Sequence, residues 1–544
     1  MNKIAYYLIA ILLAIGLFGS TIFAQSDSQY AMSFFSFISG GRSETANSRF
    51  TVEQSIGPPV AGSSSNGSFD LASGMLSGSP IPNLVLIYVG ADNKPDSGPF
   101  DLGRYIPKLV RKAHVGANET DGVVLLLLDG PQDNDARIYL LGGDSPEEDC
   151  FNVFTDYTCK GHYVEGKNVW TALDEYEDTG APGTLTSFIV DSVQKYPAEN
   201  IILSLVGHGG GWSPNTLAGQ PNHIGGQPDE LGGLLWDYHS GPGQTEGHAL
   251  STIDLGTALA DVLDKTGRRI NLLYLDACLM GMWEVAHQLA PTVDYLLASE
   301  SWSWTSFEYH KHLAAVKQGK SIEDIGTAWI ENEKAFLDGY RPPYTYSLLD
   351  LTQLDPLSES IHSLATTLKD SLPNSKAIMA EVFTQTDRFD STQDKSFVID
   401  GKDNYADIGH LATQIEESFD ENSGVVNAAR IMRTELEKVV VRSISRNGFL
   451  PEEYLGNEWS WQAPSGLSIY FPFNPEQDDW KRRHYHQLTS SKRADGSTSS
   501  WADLIETFWG VEAPDEPDCP DPCGLPLSAL TVETIDVYLP LITR

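Results

Sequence analysis

Two side chains that could carry out nucleophilic chemistry stand at the ends of apolar runs in this 544-residue sequence. His208 directly follows the run "NIILSLVG" and is the first residue of "HGGGW". Cys278 directly follows the run "INLLYLDA". A thiol becomes an effective nucleophile when a nearby imidazole lowers its pKa or accepts its proton. The glycines after His208 let the backbone approach a substrate and turn amide groups toward a developing oxyanion. The pair therefore predicts a cysteine–histidine site, although each residue alone also fits a structural role.

The elements that must position these residues follow a regular alternation from Asn83 onward. Runs that are apolar throughout alternate with segments of helical spacing; the runs include "NLVLIYVG", "GVVLLLLDG", "NIILSLVG" and "INLLYLDA". This pattern predicts an α/β fold, a three-layer α/β/α sandwich around a mainly parallel sheet. A helix and a long loop separate His208 from Cys278, which suits one crossover between neighbouring parallel strands. Both side chains would then lie at the carboxyl edge of the sheet, where ligands bind.

Composition divides the chain into five predicted parts. They are a signal peptide (1–24), a small Ser/Gly-rich β module or linker (25–80), the α/β domain with both candidate residues (81–345), a second α/β part packed on it (346–512), and a Pro/Asp-rich linker with a C-terminal tail (513–544). The amino-terminal part has one basic residue, Lys3, then an apolar run and a small residue, Ala24, suited to cleavage. We expect a secreted, extracellular or cell-surface protein with no stable membrane insertion. An uncleaved membrane anchor is the alternative.

The net charge limits the classes of binding partner, and the cysteine count indicates which cysteine keeps its thiol. With 36 basic and 74 acidic residues the net charge is −38, which disfavours nucleic acid as a partner. Acidic surfaces bind calcium, but no loop with EF-hand spacing is present in the sequence. In an exported chain, two local disulfides would leave Cys278 as a thiol; their pairs would be Cys150 with Cys159, and Cys519 with Cys523.

The motifs "VGHGGGW" and "YLDACLMG" resemble the clostripain-like cysteine peptidases, relatives of caspases, gingipains and legumains. The resemblance runs over about residues 83–475 and includes "VLIYVGADN", "LLWDYHS", "LSTIDLGTAL", "YLLASE" and "GLSIYFPF". It implies a caspase-like fold in which residues 81–345 form the catalytic domain and His208 and Cys278 form a dyad. Backbone amides of Gly209 and Cys278 would hold the oxyanion. Calcium is a candidate cofactor through this resemblance alone, since the chemistry requires none.

Asp276 adds an argument about specificity. In a strand, residues i and i+2 face the same side, so the Asp276 carboxylate points the same way as the Cys278 thiol. A carboxylate beside a thiol hinders its ionisation, which suggests that this one binds a cation. The resemblance places the matching aspartate in the S1 pocket, where it pairs with a P1 Arg or Lys. The alternative is an aspartate hydrogen-bonded to a neighbouring turn.

Two features depart from the family pattern. Relatives are often matured by cleavage after a basic residue between the two dyad positions, but residues 213–264 contain no Lys or Arg. Maturation is then absent or occurs elsewhere, for instance around Lys265, Arg268 or Arg269. In addition, Trp302 and Trp304 stand where a polar, glycine-containing stretch is expected. This stretch should border the substrate cleft, so the P1 or P2 preference could differ.

The sequence thus predicts a secreted cysteine endopeptidase that cleaves protein or peptide substrates after Arg or Lys. An esterase is disfavoured because the chain has no Gly-x-Ser-x-Gly motif. A metal site is disfavoured because the nearby histidines match no compact ligand spacing and are interpreted as loop residues; they are His223, His239 and His248. The remaining alternative is a secreted binding or adhesion protein that keeps the scaffold without catalysis.

Overall fold

The computed structural model describes the chain in segments. These are residues 21–25, 31–35, 44–47, 50–53, 63–65, 68–70, 80–90, 102, 105–129, 136–142, 169–172, 178–212, 233–237, 248–391, 396–462, 464–472, 484–492 and 500–511. Most of the predicted signal peptide, the tail after residue 512, His223 and His239 lie outside the described residues. So do the four cysteines of the predicted disulfides.

The chain divides into two compact units, one of Met1–Ile81 with Lys195–Pro197 and one of Pro82–Gln194 with Ala198–Arg544. The described residues of the first unit form three antiparallel strand pairs. They are β1 (Thr21–Gln25) with β2 (Ala31–Phe35), β3 (Glu44–Asn47) with β4 (Phe50–Glu53), and β5 (Ser63–Ser65) with β6 (Ser68–Asp70).

The second unit is built on a nine-stranded sheet. In spatial order its strands are β10 (Val169–Ala172), β9 (Arg137–Leu140), β8 (Val123–Asp129), β7 (Ile81–Gly90), β11 (Ala198–Val206), β14 (Ile270–Asp276), β15 (Val293–Ala298), β16 (Tyr344–Asp350) and β19 (Val440–Arg446). The pairs β7–β8, β11–β14 and β14–β15 are parallel, whereas both outer parts of the sheet are antiparallel. Strand β16 spans the predicted boundary at residue 345, so residues on both sides of it share this sheet.

Helices cover both sides of the sheet, which confirms the predicted sandwich. One group consists of α1 (Ile106–Ala117), α5 (Tyr309–Ala314) and α6 (Ile322–Tyr340). The other consists of α2 (Pro182–Lys195), α3 (Thr252–Thr266), α4 (Trp283–Leu289), α7 (Leu354–Gln385), α8 (Ile408–Ser418), α9 (Gly424–Val439) and α10 (Ser500–Trp509). Short 3-10 turns occupy Leu351–Gln353, Glu452–Tyr454 and Thr489–Ser491. Among the described residues, no helix is long and apolar enough to cross a bilayer.

The strands that position the candidate residues are buried because their sequences are apolar on both faces. In β11 and β14 nearly every side chain after the first few is excluded from solvent. The helix between them, α3, begins with a capping box: Ser251 Oγ accepts from Asp254 N–H at 3.0 Å, and Asp254 Oδ2 accepts from Ser251 N–H at 3.1 Å. Gly267 ends the helix at φ 68°. Local sequence therefore determines where α3, the helix that connects β11 to β14, begins and ends.

Smaller sheets lie beside the large one. Strand β12 (Leu234–Asp237) pairs with β13 (His248–Leu250), so His248 begins a strand and is not a loop residue. A three-stranded sheet contains β17 (Arg388–Phe389), β18 (Tyr405–Asp407) and β22 (Ser468–Tyr470), all antiparallel. Strands β20 (Gly448–Phe449) and β21 (Glu458–Trp459) form a hairpin. Strands β18 and β22 of the three-stranded sheet are hydrogen-bonded to the turns that follow the candidate residues.

Candidate active site

The carboxyl ends of two neighbouring parallel strands carry the two candidate residues. The last pair in register between β11 and β14 is Val206 with Asp276, and Gly207 N–H donates to Asp276 O at 3.4 Å. His208 and Cys278 each lie two residues beyond that pair. Their backbones therefore leave the sheet at the same level, and the predicted adjacency of the two strands is confirmed.

The turn after His208 is held by strand β12. Two hydrogen bonds join them: Leu235 N–H to His208 O at 3.1 Å, and Gly210 N–H to Gly233 O at 3.0 Å. Gly209 and Leu234 face each other between these bonds as an antiparallel bridge. A pair in that position exchanges no hydrogen bonds, so its N–H and C=O groups point away from the partner strand. The Gly209 N–H is thus directed away from Leu234.

Gly209 packs directly on the Cys278 backbone. A Cβ atom at Gly209 would lie 2.5 Å from Cys278 O and 2.9 Å from Ala277 Cβ, closer than such atoms can approach. Only glycine fits this contact. The two turns are therefore in van der Waals contact.

The Cys278 side chain is a buried thiol with no exposed surface. Its Sγ donates to Ser303 O at 3.8 Å. Burial raises the pKa of the Cys278 thiol, and the carboxylates of Asp276 and Asp390 raise it further. The thiol is therefore protonated at neutral pH in this conformation.

Asp276 is buried beneath the same site, with 1% of its surface exposed. Its Oδ1 accepts from Ser303 Oγ at 3.1 Å and its Oδ2 from Tyr309 OH at 3.2 Å. Burial raises the pKa of Asp276 to about 8, and repulsion from Glu333 acts in the same direction. Both oxygens are thus hydrogen-bonded within the protein, as the alternative interpretation of this residue expects. Its assignment to an S1 pocket stays a prediction.

Residues 299–308 form a segment that lies across both groups, which we call the covering segment. Ser303 contacts both, through its carbonyl oxygen at Cys278 and its hydroxyl at Asp276. The indoles on either side anchor it. Trp304 Nε1 donates to Pro343 O at 2.7 Å, and Trp302 packs edge-on, at ring-centroid distances of 4.7 to 5.7 Å, against Phe397, Tyr454 and Trp459. The stretch that departs from the family pattern is therefore in contact with both candidate groups.

Helix α1 holds the covering segment from its other side. Lys112 Nζ donates to Ser306 O at 3.1 Å and forms a buried ion pair with Glu308. Burial lowers the pKa of Lys112, while the Glu308 carboxylate opposes that shift. The segment that contacts the Cys278 thiol is therefore fixed at several points.

The basic residues considered as maturation sites differ in accessibility. The Arg269 guanidinium binds Asp294 Oδ1 at 2.6 Å and the carbonyl oxygens of Ala290 and Val293. Lys265 is half-exposed in the last turn of α3 and pairs only loosely with Asp261 at 3.2 Å. Of these two, Lys265 is the easier for a peptidase to reach, although cleavage there would first require α3 to fray.

Several residues of this site were not identified from the sequence. They are Ser303 and Tyr309, which bind Asp276, Asp390, whose carboxylate acts on the Cys278 thiol, and Tyr405, whose hydroxyl donates to Gly210 O at 2.6 Å. Of these residues, Ser303 lies in the stretch whose sequence departs from the family pattern. Among the described residues, no group of three or more His, Cys, Asp or Glu side chains could hold a metal ion.

Comparison with known proteins identifies relatives of this chain. The sequence model of the clostripain family matches residues 158–509, more than half of the chain. Clostripain of Hathewaya histolytica is 24% identical over 391 residues, which cover 64% of this chain and 67% of that protein.

Two solved structures share the fold. An inactive zymogen C11 protease from Parabacteroides distasonis superposes with a TM-score of 0.52 at 19% identity, covering 76% of this chain and 97% of the other. A secreted C11 cysteine protease from Bacteroides thetaiotaomicron, in complex with an irreversible peptide inhibitor, gives 0.53 at 15% identity, covering 78% and 99%. At these identities the likeness establishes the fold.

The raised pKa of Cys278 predicts slow alkylation of the native protein. At about pH 7 we expect iodoacetamide to modify Cys278 at least about tenfold more slowly than a free cysteine, because the thiolate is scarce and covered. The rate should keep rising to about pH 10, whereas a free thiol levels off above its pKa of about 8.5. Mass spectrometry of the peptide that contains Cys278 measures the alkylation rate, and the urea-unfolded chain is the control. A plateau below pH 8 would show an ionised thiol and contradict this account.

Proposed function

Because this chain belongs to the clostripain family and is a cysteine endopeptidase, we propose that His208 and Cys278 form its catalytic dyad. The observation that carries the proposal is the register of β11 and β14, which brings both residues to one level of the sheet edge. The contact of Gly209 with the Cys278 backbone supports it, because it sets an amide beside the nucleophile.

The proposed reaction begins when Cys278 Sγ attacks the carbonyl carbon of the scissile peptide. As the carbon–sulfur bond forms, His208 accepts the thiol proton, which the buried sulfur still carries at neutral pH. The carbonyl oxygen becomes an oxyanion, and the N–H groups of Gly209 and Cys278 stabilise it. The carbon–nitrogen bond then breaks as His208 returns the proton to the leaving amine.

The second half of the reaction releases the acyl group. The first half leaves a thioester on Cys278. His208, neutral again, takes a proton from a water molecule that attacks the thioester carbon. The same two amides stabilise the second oxyanion, and the sulfur leaves and recovers its proton from His208. The net reaction is hydrolysis of one peptide bond.

Asp276 is proposed to select a P1 Arg or Lys. Its carboxyl lies two residues before the nucleophile in a buried pocket, where an uncompensated negative charge is costly. A cationic side chain that enters this pocket would compensate the charge and replace the bonds from Ser303 and Tyr309. Selectivity follows because a neutral side chain would leave the carboxyl without that compensation.

Secretion and a role for calcium are proposed from the sequence and its relatives rather than from the geometry of the site. The predicted signal peptide supports secretion, and one structural neighbour is a secreted protease. Calcium is proposed only through the resemblance to clostripain. The described residues offer no cluster of His, Cys, Asp or Glu side chains that fits a metal ion.

A fluorogenic peptide panel that varies P1 tests the proposed reaction. The mature protein, with reductant and with or without calcium, should cleave after Arg or Lys. Cys278→Ala should abolish turnover, and His208→Ala should lower kcat by at least about a hundredfold, because the thiol loses its proton acceptor. Cleavage after another residue would keep the dyad and refute the assignment of Asp276. Loss of all Cys278-dependent turnover, even after limited proteolysis, would instead favour a binding protein on this scaffold.

The pH dependence of P1 selectivity isolates Asp276. We expect the ratio of kcat/KM for P1 Arg to that for P1 citrulline, its neutral isostere, to fall as pH drops below about 8, where the carboxyl gains a proton. The fall should approach tenfold per pH unit, since kcat/KM reports the free enzyme and titration of the dyad cancels.

The matched control is Asp276→Asn, which keeps the shape of the side chain and removes its charge. In this variant the ratio should be close to one at every pH. A wild-type ratio that stays constant with pH would exclude Asp276 as the group that recognises the cation.

A further inference from the structure

The three-stranded sheet of β17, β18 and β22 is bonded to both turns of the proposed dyad. Ser468 N–H, in β22, donates to Gly281 O at 2.9 Å, three residues after Cys278. Tyr405, in the adjacent β18, donates its hydroxyl to Gly210 O at 2.6 Å, two residues after His208. Strands β18 and β22 pair in register from Tyr405 with Tyr470 onward. One small sheet therefore fixes the distance between the two turns.

A turn of three consecutive glycines needs such support. Glycine populates more of the backbone dihedral space than any other residue, so residues 209–211 would sample many orientations if left to themselves. Gly210 is instead bonded at both ends, its N–H to Gly233 O at 3.0 Å and its C=O to the Tyr405 hydroxyl. These two bonds fix the peptide planes on either side of Gly210.

The Tyr405 ring also restricts the conformation of the glycine turn by steric contact with Gly211. Gly211 has φ 79°, and a Cβ there would lie 2.7 Å from Tyr405 Cε2 and 2.8 Å from its Cζ. The ring is 5% exposed, so it packs as part of the protein interior. Tyr405 thus restrains the glycine turn through a hydrogen bond and through packing.

We propose that Tyr405 is a positioning residue that holds the His208–Gly211 turn so that the Gly209 amide faces the oxyanion beside Cys278. This inference rests on the proposed function. An oxyanion donor is effective because its direction is set before charge develops. Tyr405 acts on that direction through the Gly210 carbonyl and does not touch the substrate.

The substitution Tyr405→Phe tests this because it removes the hydroxyl and keeps the ring. We expect kcat to fall about 10- to 100-fold while KM changes less than about threefold, since the lost restraint matters only when the oxyanion forms. Affinity for a peptide aldehyde, which forms a tetrahedral adduct with the thiol, should fall by the same factor as kcat/KM. Alkylation of Cys278 by iodoacetamide, which needs no oxyanion donor, should keep its wild-type rate.

The matched control is Tyr88→Phe, which removes another buried tyrosine hydroxyl bonded to a backbone carbonyl, that of Thr179 at 3.0 Å. It should leave kcat and aldehyde affinity within about twofold of wild type, since most substitutions away from the site act on stability alone. Thermal unfolding of both variants shows that the fold is kept. Wild-type values of kcat and aldehyde affinity in Tyr405→Phe would overturn the inference alone. Absence of Cys278-dependent turnover in the wild type would overturn the proposed function and the inference with it.

Discussion

The in-register parallel pairing of β11 with β14 is the constraint on which the site depends. Parallel strands joined by a right-handed crossover end at the same edge of a sheet, so a residue placed just after each strand meets its counterpart without further design. The pairing of Val206 with Asp276 sets the level of His208 and of Cys278 together. A shift of one residue between these strands would separate the imidazole from the thiol and also turn Asp276 to the opposite face.

Burial gives this site its electrostatic character. Asp276 and Cys278 both keep their protons at neutral pH because ionised forms are poorly solvated in the interior. Asp276 and Cys278 therefore contribute little net charge to the substrate-free site. In the proposed S1 pocket, a cation would shift this balance and expel the Asp276 proton. Binding of the cationic P1 side chain would then be coupled to release of the Asp276 proton.

Local sequence was enough to predict much of the fold and the pair of candidate residues. Apolar runs such as those ending at Val206 and Asp276 predict buried strands, and the helical spacing between them predicts the crossover helix. The remaining contacts depend on residues far apart in the chain. Tyr405 bonds to a residue 195 positions away, and no periodicity or spacing encodes such a meeting. Ser303 lies in the stretch that departs from the family pattern, but its partners Asp276 and Cys278 come close to it only when the strands pack.

The attachment of both turns to β18 and β22 has a consequence for the order in which the protein is made. A ribosome completes His208 and Cys278 long before it reaches Tyr405 and Ser468. Until those later residues emerge and pair, the glycine turn lacks its carbonyl partner and the segment after Cys278 lacks its bond to β22. A nascent chain that ends before Ser468 therefore contains both proposed dyad residues, His208 and Cys278, without the full set of bonds to the small sheet.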